Sequence, residues 1–323
     1  MSGTESVRDE DAGRWAERLR DRLLAPIGAV FAGSPEAVEQ TVICALAGGH
    51  VLIEGQPGSG KTTLAQALAR AMAGTYRRIQ FTPDLLPAEV TGFAVPDGTP
   101  GGLRFREGPL FANVVVADEI NRASPKTQSA LLEAMEERQV TVDGETRPLP
   151  EPFLLAATQN PVELQGTYPL PEAQLDRFLM RVVVGDPDEA TECEIAAGRI
   201  GRAADVRPMM TRAELVAALR AFAAVPASAA LTAYAVRLAR ATRTHPDVSR
   251  GVSVRATAAL VRAARARVML AGRRFPVADD VQALAVPVLA HRMVVRPGAG
   301  REPAEVVAEL VRRVRVPERT AVR

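Results

Sequence analysis

The 323-residue chain is 47% hydrophobic and 24% charged, with a formal net charge of +2 at pH 7. That balance suits a soluble globular protein with one large and one smaller domain and does not indicate a DNA-binding tail, and no window reaches the length of a membrane span. Two cysteines, Cys44 and Cys193, are too few for a disulfide framework and too far apart for a paired metal site, so a reducing compartment is expected.

The opening stretch MSGTESVRDEDAGR is acidic and polar with no apolar h-region, which predicts a cytoplasmic protein. An amphipathic segment from Arg14 to Phe31 is expected to pack on the first domain, with the lone Trp15 in the core. Short apolar runs then recur at Val51 to Glu54, Arg78 to Phe81, Asn113 to Glu119, Phe153 to Thr158 and Arg181 to Gly185. Their apolarity is continuous rather than alternating, which predicts five strands buried on both faces, hence an α/β unit with a parallel sheet.

Between the runs the pattern is helical. Leu64, Leu68 and Met72 form one stripe, with Gly74 as the expected C-terminal cap. GFAVPDGTPGGLRFREGPL is compatible with a hairpin. Ser124 and Pro125 suit the cap and first turn of a helix facing Leu131, Leu132 and Met135 inward, and VTVDGETRPL predicts a hairpin around Asp143 and Gly144. From about Asp186 helices take over, marked by a capping box at Thr211 and Glu214 and punctuated by Pro226, Pro246, Pro276 and Pro287. Periodic segments at Leu231 to Ala241, Val254 to Leu270 and Val277 to Met293 predict a helical lid. The expected division is therefore an N-terminal helical segment at 1–33, an α/β unit at 34–185 and a lid at 186–323.

The first run leads into GQPGSGKTT, that is Gly55, Gln56, Pro57, Gly58, Ser59, Gly60, Lys61, Thr62 and Thr63, which fits the phosphate-cradling pattern G-x-x-x-x-G-K-[ST]. Its glycines let successive N–H groups curl toward phosphate oxygens, and the following helix lends its positive end. Lys61 is expected to reach the outer phosphates and Thr62 to bind Mg²⁺. A chance glycine-rich turn explains the loop poorly, because it follows a strand and opens a helix as the mechanism requires. Lys61 and Lys126 are the only lysines in the chain.

VVVADE ends a buried strand in two adjacent carboxylates, which places Asp118 to hold the metal shell and Glu119 to orient or deprotonate a water. FLLAATQNP places Thr158, Gln159 and Asn160 at the end of another strand, where Asn160 is a candidate contact for that water or the phosphate. Arg177 and Arg255 lie outside the loop, and by position alone a surface ion pair explains either.

ADEINRASPKTQSALLEAMEERQVTVDGETRPLPEPFLLAATQNPVELQGTYPLPEAQLDRFLMRV, preceded by QFTPDLLPAEVTG, resembles the signature core of the MoxR-type AAA+ ATPases of the helix-2-insert clade. The resemblance is dense from about 51 to 185. It implies a P-loop AAA+ core around a central parallel five-stranded sheet, a smaller all-helical lid, and ATP with Mg²⁺ as ligands. It assigns Walker A to Gly55 through Thr62, Walker B to Asp118 and Glu119, sensor 1 to Asn160, a trans-acting arginine finger to Arg177 and sensor 2 to Arg255. It also places the helix-2 insert around Gly92 to Gly108 and the pre-sensor hairpin around Asp143.

The family implication is a hydrolytic ring, usually a hexamer, that remodels protein complexes with von Willebrand factor A-domain partner proteins and sometimes in metalloenzyme maturation. The lid motif GVSVRA departs from the usual G-A-S-P-R-A, and AVFAGSPEAVEQ leaves adenine contacts unassigned. Two other readings stay open from sequence: a nucleic-acid translocase touching a strand with Arg104, Phe105 and Arg106, and a nucleotide-binding switch without turnover. Near-neutral charge and scarce aromatics disfavour nucleic acid, and the presence of Glu119 and Arg177 disfavours the switch.

Overall fold

The computed structural model describes residues 16–72, 74–100, 102–161 and 166–317. Helical turns lead through Arg20–Leu24, in π geometry, into α1 (Ala25–Gly28), and put Leu19, Leu23 and Ile27 on one buried stripe. This segment reaches beyond the α/β unit on which it was expected to rest. Arg20 Nε donates to the Leu270 carbonyl at 3.1 Å, and Arg22 pairs with Glu214 at 3.2 Å, both in the C-terminal helices. Trp15 lies outside the described residues.

There follow α2 (Pro35–Leu46), capped by the Ser34 hydroxyl, β1 (His50–Gly55), α3 (Lys61–Ala71), β2 (Tyr76–Gln80), α4 (Pro87–Thr91), and the paired strands β3 (Gly92–Pro96) and β4 (Leu103–Glu107). Next come β5 (Val114–Asp118), α5 (Pro125–Glu137), the paired strands β6 (Gln139–Val142) and β7 (Glu145–Pro148), β8 (Leu154–Gln159), α6 (Glu172–Leu175) and β9 (Phe178–Val184). Five of these strands form one parallel sheet in the order β2-β5-β8-β1-β9.

Both faces of that sheet are covered at β1, β5 and β8, whereas the edge strand β2, expected to be buried as well, exposes Arg77, Arg78 and Gln80. Val51, Ile53, Val114, Val116, Leu154 and Ala156 join Leu64 and Leu68 of α3 on one side. On the other, Leu52, Val115, Ala117, Leu155 and Ala157 join Leu131, Ala134 and Met135 of α5. A strand with no polar side has nothing to alternate with, so its sequence is continuously apolar. Leu132, expected to face inward with Leu131, is only half-buried. In the second hairpin Asp143 and Gly144 stand at φ 52° and 80°, the pair of positive values that a two-residue connection needs.

The C-terminal part holds α7 (Glu189–Ala196), α8 (Arg212–Ala224), α9 (Ala229–Thr244), β10 (Val248–Arg250), α10 (Val254–Leu270), α11 (Ala278–Leu289), β11 (Val294–Val295) and α12 (Pro303–Arg313). The Thr211 box forms as expected: Glu214 N–H donates to Thr211 Oγ1 at 3.2 Å and Thr211 N–H to Glu214 Oε2 at 2.7 Å. Leu238, Leu260 and Leu284 of these helices belong to the same buried set as Val51, Ile53 and Leu68, because α10 packs on α2 and α11 on β9.

Three local expectations are corrected. First, α3 stops at Ala71 with Met72 already extended, so Gly74 is not its cap; Gly74, at φ 123°, lies where a side chain would strike Asn113. Second, Pro287, expected as punctuation, sits buried inside α11, where it forfeits the one bond to the carbonyl four residues back. Third, the helical lid also carries the short antiparallel pair β10–β11, whose strands are too short for an alternation to show.

The buried His50 fastens the far edge of the sheet. Its Nδ1 accepts the Leu155 N–H at 2.9 Å, so the ring proton sits on Nε2 and goes to the Met135 carbonyl, also at 2.9 Å. Burial pushes its pKa from 6.5 down to about 4. Between those values the unfolded chain takes up a proton that the folded chain refuses, so this contribution is complete above pH 6.5 and is lost as pH falls toward 4. Urea denaturation midpoints are expected to fall with acidification across that window, and less steeply in a His50→Gln chain.

Candidate functional site

The loop after β1 approaches its surroundings too closely for a side chain at its start. A Cβ on Gly55 would stand 2.4 Å from the Val184 carbonyl oxygen, while Gly58 and Gly60 take φ of 82° and 87°. The chain then enters α3 at Lys61. Lys61 Nζ donates to the carbonyls of Gly55 at 2.8 Å and Gln56 at 2.6 Å. Partial burial holds the pKa of its ammonium below the usual lysine range, against the opposing pull of Asp118 and Glu119.

At the end of β5, Asp118 is only 3% exposed. Its Oδ1 accepts from Thr62 Oγ1 at 2.8 Å and Thr158 Oγ1 at 2.5 Å, and its Oδ2 from Arg78 Nη2 at 2.5 Å. Glu119 follows in the left-handed region, at φ 56° and ψ 49°, a conformation uncommon for a side-chain-bearing residue. Its N–H donates to Thr158 Oγ1 at 3.0 Å, while its Oε2 accepts from Gln80 Nε2 at 2.9 Å and pairs with Arg122 Nε at 3.2 Å. The Asn160 carbonyl accepts from Asn121 Nδ2 at 3.2 Å.

Lys61, Thr62, Asp118, Glu119, Thr158 and Asn160 thus line one cleft of about 500 Å³, with Gln56, Pro57 and Gly58 at its rim. A second cavity of about 460 Å³ lies across the glycine turn, lined by Ser59, Gly60 and Thr63 from the loop side and by Phe31, Ile195 and Ile200 opposite. Eight of the nine loop residues singled out from sequence therefore surround two adjoining spaces; Gly55 lines neither and packs against Val184. Among the described residues no group of three or more His, Cys, Asp and Glu could hold a metal ion by itself. A hydroxyl and a carboxylate oxygen 2.8 Å apart, Thr62 Oγ1 and Asp118 Oδ1, fit a hard cation that also draws on phosphate and water.

Arg177 and Arg255 stand elsewhere. Neither lines the cleft, and both donate to Glu136 in the last turn of α5. Helix α5 starts beside the cleft, just past Arg122, so the rise from Pro125 to Glu136 sets that residue about 17 Å along the helix from its N-terminus.

Several residues of the site were not singled out from sequence. Arg78 and Gln80 are two apart on β2, so they share a face, and the register of Gln80 against Asp118 carries both to the acidic pair. That alternation was a usable signal. Phe31 had none, because the second cavity is assembled from three segments distant in sequence.

Residues 50–180 match the family described as the ATPase family associated with various cellular activities (AAA), and residues 240–313 match the AAA lid domain. The uncharacterised protein YeaC of Bacillus subtilis is 44% identical over 311 residues, an alignment spanning 94% of this chain and 97% of YeaC. Chaperone MoxR1 of Mycobacterium tuberculosis is 37% identical over 314 residues, spanning 94% of this chain and 83% of MoxR1. A crystal structure of a candidate ATPase from Cytophaga hutchinsonii is similar with a TM-score of 0.86 at 32% identity, covering 98% of this chain and 100% of that one.

Thr158 serves both carboxylate residues at once, so an isosteric Thr158→Val change removes a donor from Asp118 and leaves the Glu119 N–H without its acceptor. A loss of about 1–3 kcal/mol in unfolding free energy is expected, read from urea denaturation of the two proteins.

Proposed function

The chain belongs to the MoxR-type AAA+ ATPases, and from that membership we propose that it acts as a chaperone-like ring, cleaving ATP at seams between its copies to remodel or assemble protein complexes. The observation that supports this best is the split arrangement of the candidate residues. Loop, carboxylates and Asn160 share one cleft, while Arg177 and Arg255 stand together outside it.

In this reading Gly55 through Thr63 wrap the phosphates with backbone N–H groups and the positive end of α3, and Lys61 pairs with the outer phosphates. Thr62 and Asp118 would hold Mg²⁺, whose chemistry when bound is to neutralise phosphate charge. Glu119 orients the attacking water and takes its proton, and the Asn160 amide bonds water or phosphate without titrating. The second cavity, with Phe31, Ile195 and Ile200 on its wall, suits the flat apolar face of the base. Arg177 acts as the finger on a neighbouring copy's cleft, and Arg255 enters beside it as sensor 2.

We assign 1–33 to an N-terminal helical segment, 34–185 to the ATPase unit and 186–323 to the lid; the matched stretches 50–180 and 240–313 fall within the last two. A hexamer in the cytoplasm, a von Willebrand factor A-domain partner protein and a protein client complete the proposal. MoxR1 carries the name of a chaperone, which supports a protein client. The β3–β4 hairpin supports it too. Phe105 is covered by the Arg147 guanidinium at 4.2 Å and by Phe111 at 5.6 Å, so its ring is already engaged and poorly available to stack on a base. Among the described residues no single helix is long and apolar enough to cross a membrane.

Two variants test the seam. Arg177→Ala and Glu119→Gln assemblies are each expected to lose about 10²- to 10³-fold or more in kcat while still binding ATP. Mixed, they should regain phosphate release, because an intact carboxylate pair on one chain can then face an intact finger on the other. No recovery in mixtures that light scattering shows to be fully assembled would sink this reading.

A further inference from the structure

Glu136 carries two guanidiniums on one carboxylate. Its Oε2 accepts from Arg177 Nη1 and its Oε1 from Arg255 Nη2. Arg177 comes from the turn between α6 and β9, whereas Arg255 comes from the first turn of α10 in the C-terminal helices. The bracket therefore spans the line where the two halves of the chain meet.

Neighbouring bonds reinforce that line at the same place. The Ser253 hydroxyl, which caps α10, donates to Asp176 with both carboxylate oxygens at 3.2 Å. Arg250 pairs with Glu172, and Arg292 Nη2 donates to the Phe178 carbonyl at 2.5 Å. The segment that bears Arg177 is thus tied on both sides to the helices that bear Arg255.

The charge on the bracket is incomplete. One carboxylate faces two guanidiniums, so the trio keeps a net positive charge, and a second anion is favoured beside it. The donors are incompletely used as well. Each arginine gives Glu136 a single Nη, and Arg177 adds only a 3.4 Å contact from that same Nη1 to the Leu132 carbonyl. Among the described residues Arg177 Nε is buried with no partner. Side-chain exposures of 22% for Arg177 and 50% for Arg255 leave the pair reachable from outside.

We propose that Glu136 is a positioning residue: it holds Arg177 and Arg255 at a fixed spacing, so that both guanidiniums enter a neighbouring copy's triphosphate site as one unit. This rests on the proposed delivery of the two arginines across a seam. Glu136 itself touches neither nucleotide nor water. Its carboxylate occupies one corner of each guanidinium and fixes their spacing, which lowers the ordering that two long side chains must undergo on meeting the phosphate. An amide at this position carries no charge to hold either guanidinium and sets an NH₂ donor where the second oxygen accepted.

The test uses full-length chains in mixed assemblies with Mg²⁺ and ATP, reading phosphate release. The reference mixture is Glu119→Gln, which donates the arginines, with Arg177→Ala, which supplies the working cleft. Adding Glu136→Gln to the donor chain is expected to lower kcat by about 10-fold or more, with little change in KM. Adding it instead to the Arg177→Ala chain, whose own finger is already gone, should leave kcat at the level of the reference mixture. Glu136→Asp on the donor should restore part of the loss, and light scattering confirms that every mixture assembles. An equal loss from either placement, or no loss from the donor, overturns the positioning role. An inactive reference mixture instead overturns the seam on which it rests.

Discussion

A carboxylate almost shut away from water is tolerable only when donors surround it. Asp118 meets that requirement with Thr62 from α3, Thr158 from β8 and Arg78 from β2, so one charge fastens three elements to the end of β5. The fastening fixes where α3 begins, and with it the height of the glycine loop above the sheet. Glu119 inherits its place from the same cluster, because Thr158 also accepts its N–H and holds the backbone in the left-handed region. The cleft is thus a by-product of satisfying one buried charge.

Much of this was legible from residues. Continuous apolarity gave β1, β5 and β8, which are buried on both faces, and the Asp143-Gly144 pair gave its hairpin; β2, at the sheet's edge, buries only Ile79. The nine-residue loop and the acidic pair lie together because parallel strands bring their C-terminal ends to one edge. What stayed hidden depends on pairing between distant segments. Gly74 matched the pattern of a helix cap, yet its position answers to Asn113 on another element. Pro287 matched a breaker, yet burial within α11 outweighs the one lost bond. The partner that Arg177 and Arg255 share could not be read from spacing, because Glu136 sits on a third element and local pattern carries no information about it.

The chain's almost exclusive use of arginine as its cation has a structural counterpart. Asp280, fully buried, takes Arg267 at 2.6 Å and Arg273 at 2.5 Å; Glu309 takes Arg301 and Arg313, each at 2.7 Å; Glu136 takes Arg177 and Arg255. A planar fork can give one corner to a carboxylate and keep others, so a single acid can join two helices or a helix and a loop. Lys61 departs from the habit where the habit fails, in a loop whose carbonyls leave room for a compact ammonium on a slender stem.

The apolar contacts on the α3 side of the sheet run without a break into the C-terminal helices. A swinging door needs slack along its hinge, and here the would-be hinge line is filled with side chains. What costs least is shear, with α10 and α11 gliding over α2 and β9 by about 1–2 Å while their side chains stay interlocked. In a remodelling ring of the kind proposed, such a joint would give short, stiff strokes, and reach would be gained by repeating them.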